Sequence, residues 1–394
     1  MAQQTRLKDI AETAGCSIAV VSCVVNGSRG NISCNPELRE RILRIAAELH
    51  YTPHFASKAL RSNRTNTLGV CLRQGDFSSA GFSGILAGIW DACRERKYDT
   101  LCLGVDEQGC ALALAERRVD ALVLPAVPNR EGWAAPFVRG DCCCVAATSV
   151  GEAPIDSVAA DERAAGALAV RVLAERGHRR IGCLDSAPGT GESPSRLRRL
   201  GFESAMVERN LEPAADWAFC AGASGALDPV SEAADRFAQA PVTERPTAFV
   251  VQTMPLAHRF LWELARRGVD CPKDVSLVCI DAEGEVPTFL PGLSAVGIPY
   301  REIGAAAARR AIDRFEALLD CGAGFRVSPG PLPTARLQAG RRGRRPTAVV
   351  NALAEESGIR VQNMPRAEGP RVERFRKTVS PTFVDRGSIS TLSE

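Results

Sequence analysis

Apolar positions at the start of the chain recur with a helical period. Leu7, Ile10 and Ala11 share one helical face, and Val20, Val21 and Val24 share another. Gly15 stands where the first helix must stop, and Ser17 where the second must start, as helix termini require. From Pro36 onward, Leu38, Ile42, Ile45, Ala46 and Leu49 mark a third helix that can close a small core over the first two. From residue 67 the pattern changes. Short apolar runs at 67–72, 99–105, 119–125, 179–185, 246–252 and 274–281 read as strands. Amphipathic stretches at 83–98, 112–118, 161–178, 193–210, 255–268 and 304–319 read as helices. Such alternation predicts parallel sheets covered on both faces, and the length suits two lobes with a ligand cleft between them. Asp161 reads as a helix N-cap and Trp217 as strand core.

Residues 5–27 have the spacing of a helix-turn-helix, whose second helix enters the DNA major groove. Charge supports a DNA reader at this end. Residues 1–66 hold nine Lys and Arg against five Asp and Glu, residues 67–340 hold 29 against 35, and residues 341–394 hold 11 against 6. A basic head on an acidic middle suits a DNA-binding unit joined to a domain that does not touch DNA.

The 15 cysteines do not read as a disulfide framework. Cys142, Cys143 and Cys144 lie in one apolar run, and Cys71, Cys102, Cys183 and Cys279 lie inside expected strands, as core thiols of a reducing cytoplasm would. No spacing suggests a metal site, because Pro53 separates His50 from His54 and no cysteine pair accompanies them. No cofactor is expected. No apolar run approaches the roughly 20 residues that span a bilayer, and the helix-turn-helix begins without a preceding signal peptide. Enzyme chemistry finds no support. Gly189-Thr190-Gly191 lacks the lysine and spacing of a phosphate loop, no nucleophile elbow is present, and four histidines leave little acid–base machinery.

Specific runs carry a resemblance. They are Leu7-Lys8-Asp9-Ile10-Ala11, Ala14-Gly15, Val21-Ser22, Val25-Asn26-Gly27, Leu49-His50-Tyr51-Thr52-Pro53, Ala59-Leu60 and Thr67-Leu68-Gly69-Val70. In these the chain resembles the LacI family of bacterial transcription regulators, and the likeness continues to about residue 340. It implies an all-α helix-turn-helix domain at 1–53, a hinge at 54–66, and an α/β effector domain of two lobes at 67–340, similar to the periplasmic binding proteins. It also implies a homodimer in the cytoplasm on a pseudo-palindromic double-stranded operator, without a membrane role, and a small-molecule effector that adjusts operator affinity.

Site residues follow. On the second helix Ile18, Ala19 and Cys23 should face bases, with Ser22 and Asn26 near the DNA backbone; Ser17 and Tyr51 join this contact set. Where Cys23 stands the family commonly has an arginine that reads guanine, so a shifted, A/T-leaning half-site or a weakened affinity is expected. Arg29, in the Gly-rich loop, adds a phosphate contact. In the hinge, Ser57, Lys58, Leu60 and Arg61 meet DNA, and the resemblance makes Leu60 a wedge in the minor groove. Ligands of open α/β sheets lie beyond the carboxyl ends of the strands. Asp76 follows the first strand. By resemblance Asp281 is a cleft carboxylate, Arg198 the effector-contacting arginine, and Phe82 a cleft aromatic. Thr253 and Met254 stand where the family has Asn-Asp, which weakens transfer of an effector. This set suits a sugar or polyol, and equally a purine.

Residues 341–394 turn basic and poor in large apolar side chains, and are expected to form a mostly disordered tail with one short helix at 348–356. Two alternatives remain. One is a DNA-binding regulator insensitive to any effector. The other is a small-molecule binding protein, which the helix-turn-helix argues against.

Overall fold

The computed structural model describes residues 5–26, 34–52, 59, 62–72, 80–104, 106–127, 132–138, 142–185, 193–211, 217–220, 228–282, 292–320 and 375–392. The first apolar stripes become α1 (Leu7–Ala14), α2 (Ile18–Asn26) and α3 (Pro36–Glu48). Ile10, Ala11 and Ala14 of α1 pack with Val21 and Val24 of α2 and with Ile42, Ile45 and Ala46 of α3. Gly15 closes α1 at φ 66°, a left-handed conformation that glycine adopts without a Cβ penalty. The Val20 amide donates to Ser17 Oγ at 3.3 Å, the capping contact expected of Ser17. Leu49, expected in the core, instead caps α3 and is 37% exposed.

The first lobe contains β1 (Thr67–Cys71), α4 (Ala80–Arg96), β2 (Asp99–Leu103), α5 (Glu107–Ala115), β3 (Ala121–Leu124), α6 (Ala135–Val138), β4 (Cys144–Ala146) and β5 (Asp156–Ala160). The second contains α7 (Glu162–Glu175), β6 (Ile181–Asp185), α8 (Pro194–Glu208), β7 (Ala218–Cys220), α9 (Pro229–Gln239), β8 (Ala248–Val251), α10 (Met254–Ala265), β9 (Ser276–Ala282) and β10 (Ser294–Ile298). The chain then returns to the first lobe as α11 (Tyr300–Asp320) and ends in β11 (Arg376–Val379) and β12 (Thr382–Val384). The first sheet runs β11-β5-β4-β3-β1-β2, with every described pairing parallel. The second runs β12-β10-β9-β8-β6-β7, parallel except for β12 against β10. The expected two-lobed α/β architecture is therefore present, and the chain passes between its lobes after β5, β10 and β11.

The C-terminal expectation needs correction. The described residues 375–392 belong to the folded body, with β11 in the first sheet and β12 in the second. Their attachment is largely polar, which composition alone does not reveal. Ser388 Oγ accepts from the Ser294 amide at 2.8 Å and donates to Leu277 O at 2.6 Å. The Ser390 amide donates to Ser276 Oγ at 2.9 Å, and Asp385 bonds Ser294 Oγ and Arg176. The short helix expected at 348–356 lies outside the described residues.

Cysteine usage matches the core-thiol expectation with one correction. All the described cysteines are free, and most are buried, but Cys102 is exposed because β2 is an edge strand. Burial pushes the Cys142 thiol up to about 12 and Cys144 well above the usual thiol range, so neither is a ready nucleophile. No described helix is long and apolar enough to cross a membrane.

His178 joins the C-terminal segment to the second lobe. Its Nε2 lies 3.1 Å from Ser390 O, which can only accept, so Nε2 carries the proton; Nδ1 is 2.9 Å from Thr247 Oγ1. Burial lowers its pKa below the usual 6.5. The unfolded chain therefore takes up a proton before the native one does, and stability falls as pH drops through 6.5. Urea unfolding at pH 7.5 and 5.5 should show this loss, and His178→Gln should reduce it.

Candidate DNA-reading surface and interlobe cleft

The packing of α2 decides which side chains can reach DNA. Val21 and Val24 point into the core, so the opposite side of the helix faces solvent. Ser17 and Ala19 are exposed, Ile18 is 48% exposed, and Ser22 and Cys23 are half-buried. Tyr51 is also half-buried, against the three-helix core. The described members of the expected contact set, Tyr51 apart, thus cluster on the start and outer side of α2. The Asn26 side chain, Arg29, Ser57, Lys58, Leu60 and Arg61 lie outside the described residues.

Just before β1, the chain that enters the first lobe is anchored by Asp120. Its carboxylate accepts the Thr65 amide at 2.7 Å, the Thr65 hydroxyl at 2.9 Å and the Asn66 amide at 2.7 Å. Burial raises the pKa of Asp120, and these three donors oppose that rise. Sequence reasoning missed this residue, whose only signal was a lone carboxylate at the start of the third expected strand.

Between the lobes, Arg198 of α8 is buried, with each of its three nitrogens hydrogen-bonded. Its Nε donates to Glu162 Oε2 at 2.6 Å, one Nη to Gln252 O at 2.8 Å and the other to the Tyr300 hydroxyl at 3.2 Å. Glu162 begins α7, Gln252 follows β8 and Tyr300 begins α11, so this guanidinium ties the second lobe to a first-lobe helix. Burial opposes its charge, yet Glu162 and Tyr300 together hold its pKa above the usual arginine value. The Tyr300 ring occupies a slot on α4, where a Cβ at Gly81 would lie 2.7 Å from Tyr300 Cζ and one at Gly84 2.9 Å from Tyr300 Cβ.

A second polar network adjoins the first. Gln252 Nε2 donates to Asp185 Oδ1 at 2.7 Å and to Ser195 O at 3.0 Å, and Arg199 bonds Asp185 Oδ2 at 3.0 Å. Burial raises the pKa of Asp185, while Arg199 and the neighbouring thiol pull it back. Ser193 Oγ is buried with no hydrogen-bond partner among the described residues. These groups sit at the carboxyl ends of β6 and β8, where ligands of open α/β sheets collect.

The expected effector residues are placed as follows. Phe82 is buried in the first turn of α4, and Thr253 is the half-buried N-cap of α10 with no side-chain capping bond. Asp161 caps α7 as read, accepting the Ala164 amide at 2.8 Å. Asp281 lies in β9, but its side chain and all of Asp76 lie outside the described residues. Glu162, Gln252 and Tyr300 were not foreseen. Tyr300 had a usable signal, since it stands after Pro299 at the end of the apolar run Ala295–Ile298, where the chain changes lobe. No group of three or more His, Cys, Asp or Glu among the described residues could hold a metal ion.

Comparison with known proteins gives the same two-part division. Residues 6–54 match the bacterial regulatory proteins of the lacI family. Residues 65–224 match the periplasmic binding proteins and sugar binding domain of the LacI family, and residues 170–319 a periplasmic binding protein-like domain. The chain is 29% identical over 320 residues to the HTH-type transcriptional repressor PurR of Escherichia coli O139:H28, covering 78% of this chain and 89% of that protein. It is 25% identical over 322 residues to the ribose operon repressor of Haemophilus influenzae, covering 79% and 92%. The crystal structure of the lac repressor dimer bound to operator and the anti-inducer ONPF superposes with a TM-score of 0.70 at 18% identity, covering 98% of this chain and 100% of that one. With its helix-turn-helix head and two-lobed body both matched, the chain belongs to the LacI family of bacterial regulatory proteins.

Proposed function

We propose that this protein is a homodimeric, sequence-specific repressor of transcription that acts in the cytoplasm and performs no catalysis. Its operator affinity is set by a small effector, a sugar or related metabolite, held between the lobes. The observation that carries the reading is the outer side of α2, with Ile18 and Ala19 presented from a rigid three-helix head on a two-lobed body. In this reading residues 1–53 read the major groove, residues 54–66 form the hinge with Leu60 as its wedge, and Asp120 holds the hinge to the first lobe. An effector that prefers one lobe arrangement shifts operator affinity through that difference.

The test is selection of DNA sites from a random pool by the full-length protein at two salt concentrations. A pseudo-palindrome with A/T-leaning half-sites is expected, with binding that falls steeply with salt. Cys23→Arg should add a guanine preference of about 1–3 kcal/mol at one position. No enriched motif at either salt would sink the reading. A wild-type motif that already requires guanine there would refute the role given to Cys23.

One observation favours a second reading, a regulator indifferent to small molecules. All three guanidinium nitrogens of Arg198 are already hydrogen-bonded, to Glu162, Gln252 and Tyr300. If a panel of sugars and nucleobases leaves both melting temperature and operator affinity unchanged, that reading prevails.

A further inference from the structure

Four thiols meet in the core of the first lobe, and two of them touch. Cys71 ends β1, and Cys110 lies on the inward side of α5 with Ala113 and Leu114. Cys142 and Cys144 share the same apolar cluster. The Cys71 and Cys110 thiols are both free and hydrogen-bond to each other. That contact pulls the Cys110 thiol below its usual range against the effect of burial, while Cys71 is pushed up. Cys142 and Cys144 are pushed up by burial. No group of three or more such side chains among the described residues could hold a metal ion, so the cluster offers thiol chemistry rather than a metal site. Cys71 is 6% exposed at the end of its strand, which leaves an edge of the pair open to an oxidant little larger than water.

We propose that Cys71 and Cys110 are a redox-active dithiol that a hydroperoxide closes to an intramolecular disulfide. Thiols already in contact need only a small approach to reach the sulfur–sulfur bond length of about 2 Å. With hydrogen peroxide, the Cys110 sulfur attacks one oxygen and the O–O bond breaks. Cys110 becomes a sulfenic acid, and the departing hydroxide takes up the thiol proton as water. The Cys71 sulfur then attacks the Cys110 sulfur, the S–O bond breaks, and a second water leaves with the Cys71 proton. Two thiols give up two electrons, and one peroxide becomes two waters. The bond closes a loop that contains α4 and β2. Because α4 carries the slot of Tyr300, oxidation braces the part of the first lobe against which the interlobe cluster rests.

The experiment treats the reduced full-length protein with hydrogen peroxide, alkylates the remaining thiols with iodoacetamide in denaturant, and maps the peptides by mass spectrometry. Cleavage at Arg73 and Glu107 separates Cys71 from the later cysteines and Cys102 from Cys110. A Cys71–Cys110 cross-link that dithiothreitol removes is expected, with Cys110 oxidised at least about tenfold faster than Cys142 or Cys144. In Cys71→Ser the reaction should stop at the Cys110 sulfenic acid, which dimedone traps. The wild-type map decides the matter even if that variant does not fold. Cys71 and Cys110 that remain open to alkylation when exposed Cys102 is already oxidised would overturn the proposal. A cross-link that forms only in urea would overturn it too, because it would belong to the unfolded chain.

Discussion

Gly88→Val should unfold the first lobe at room temperature or lower its stability by more than about 3 kcal/mol. The helices α4 and α11 cross where both are reduced to backbone. A Cβ at Gly88 would lie 1.9 Å from Arg301 O and 2.8 Å from Ala305 N, and one at Gly304 2.0 Å from Ile85 O. These neighbours are backbone atoms of a helix and cannot rotate away. A side chain must therefore push the two helices apart, which strips contacts from the Ile89, Ile303, Ala307 and Ala308 cluster beneath them. The second lobe repeats the device. A Cβ at Gly166 would lie 2.0 Å from Arg198 O, and one at Gly201 1.9 Å from Arg163 O, so α7 and α8 touch the same way. Gly166→Ala is expected to cost less than Gly88→Val because it adds one methyl group, but it must displace α8 and with it Arg198. Urea denaturation followed by circular dichroism reads both. A Gly88→Val protein as stable as wild type would show that the crossing yields without loss.

These crossings mark the limit of what the chain discloses as a sequence. The stripes of Ile10, Val21 and Ile42 named a three-helix head because an isolated small core must show its period openly. The long strands and helices were legible for the same reason. Short or atypical elements were not. β4 has 3 residues, and α9 begins at Pro229 in a stretch whose apolar side is made mostly of alanine and valine. β11 and β12 were hidden because serine hydroxyls, Asp385 and backbone pairing hold the segment, so its low apolar content said nothing about order. At the site, Arg198 was found through resemblance, but Glu162 was not. It directly follows Asp161, which the sequence marks as the helix cap, and only the fold decides that Glu162 turns inward to Arg198.

Glu162→Leu is expected to destabilise the protein by about 3–5 kcal/mol, because it leaves the Arg198 guanidinium buried without its counter-charge. Both side chains of the pair are over 90% buried, at 7% and 8% exposure, so water cannot replace the lost carboxylate. The double variant Glu162→Leu/Arg198→Met should recover much of that loss, since apolar side chains of similar size can fill the space of a buried pair. Tyr300→Phe separates stability from signalling at the same junction. It removes the 3.2 Å hydrogen bond that an Arg198 Nη donates to the Tyr300 hydroxyl, and the ring stays in its slot against Gly81 and Gly84. Its cost in stability should stay near 1 kcal/mol, the usual net worth of one hydrogen bond. That bond joins α11 of the first lobe to α8 of the second, so its loss should also change operator affinity, by up to about tenfold. Equal operator affinity for Tyr300→Phe and wild type would mean that Arg198 stabilises the second lobe alone. A change in affinity at nearly constant stability would make the Glu162–Arg198–Tyr300 cluster the connection through which lobe position reaches the DNA-binding head.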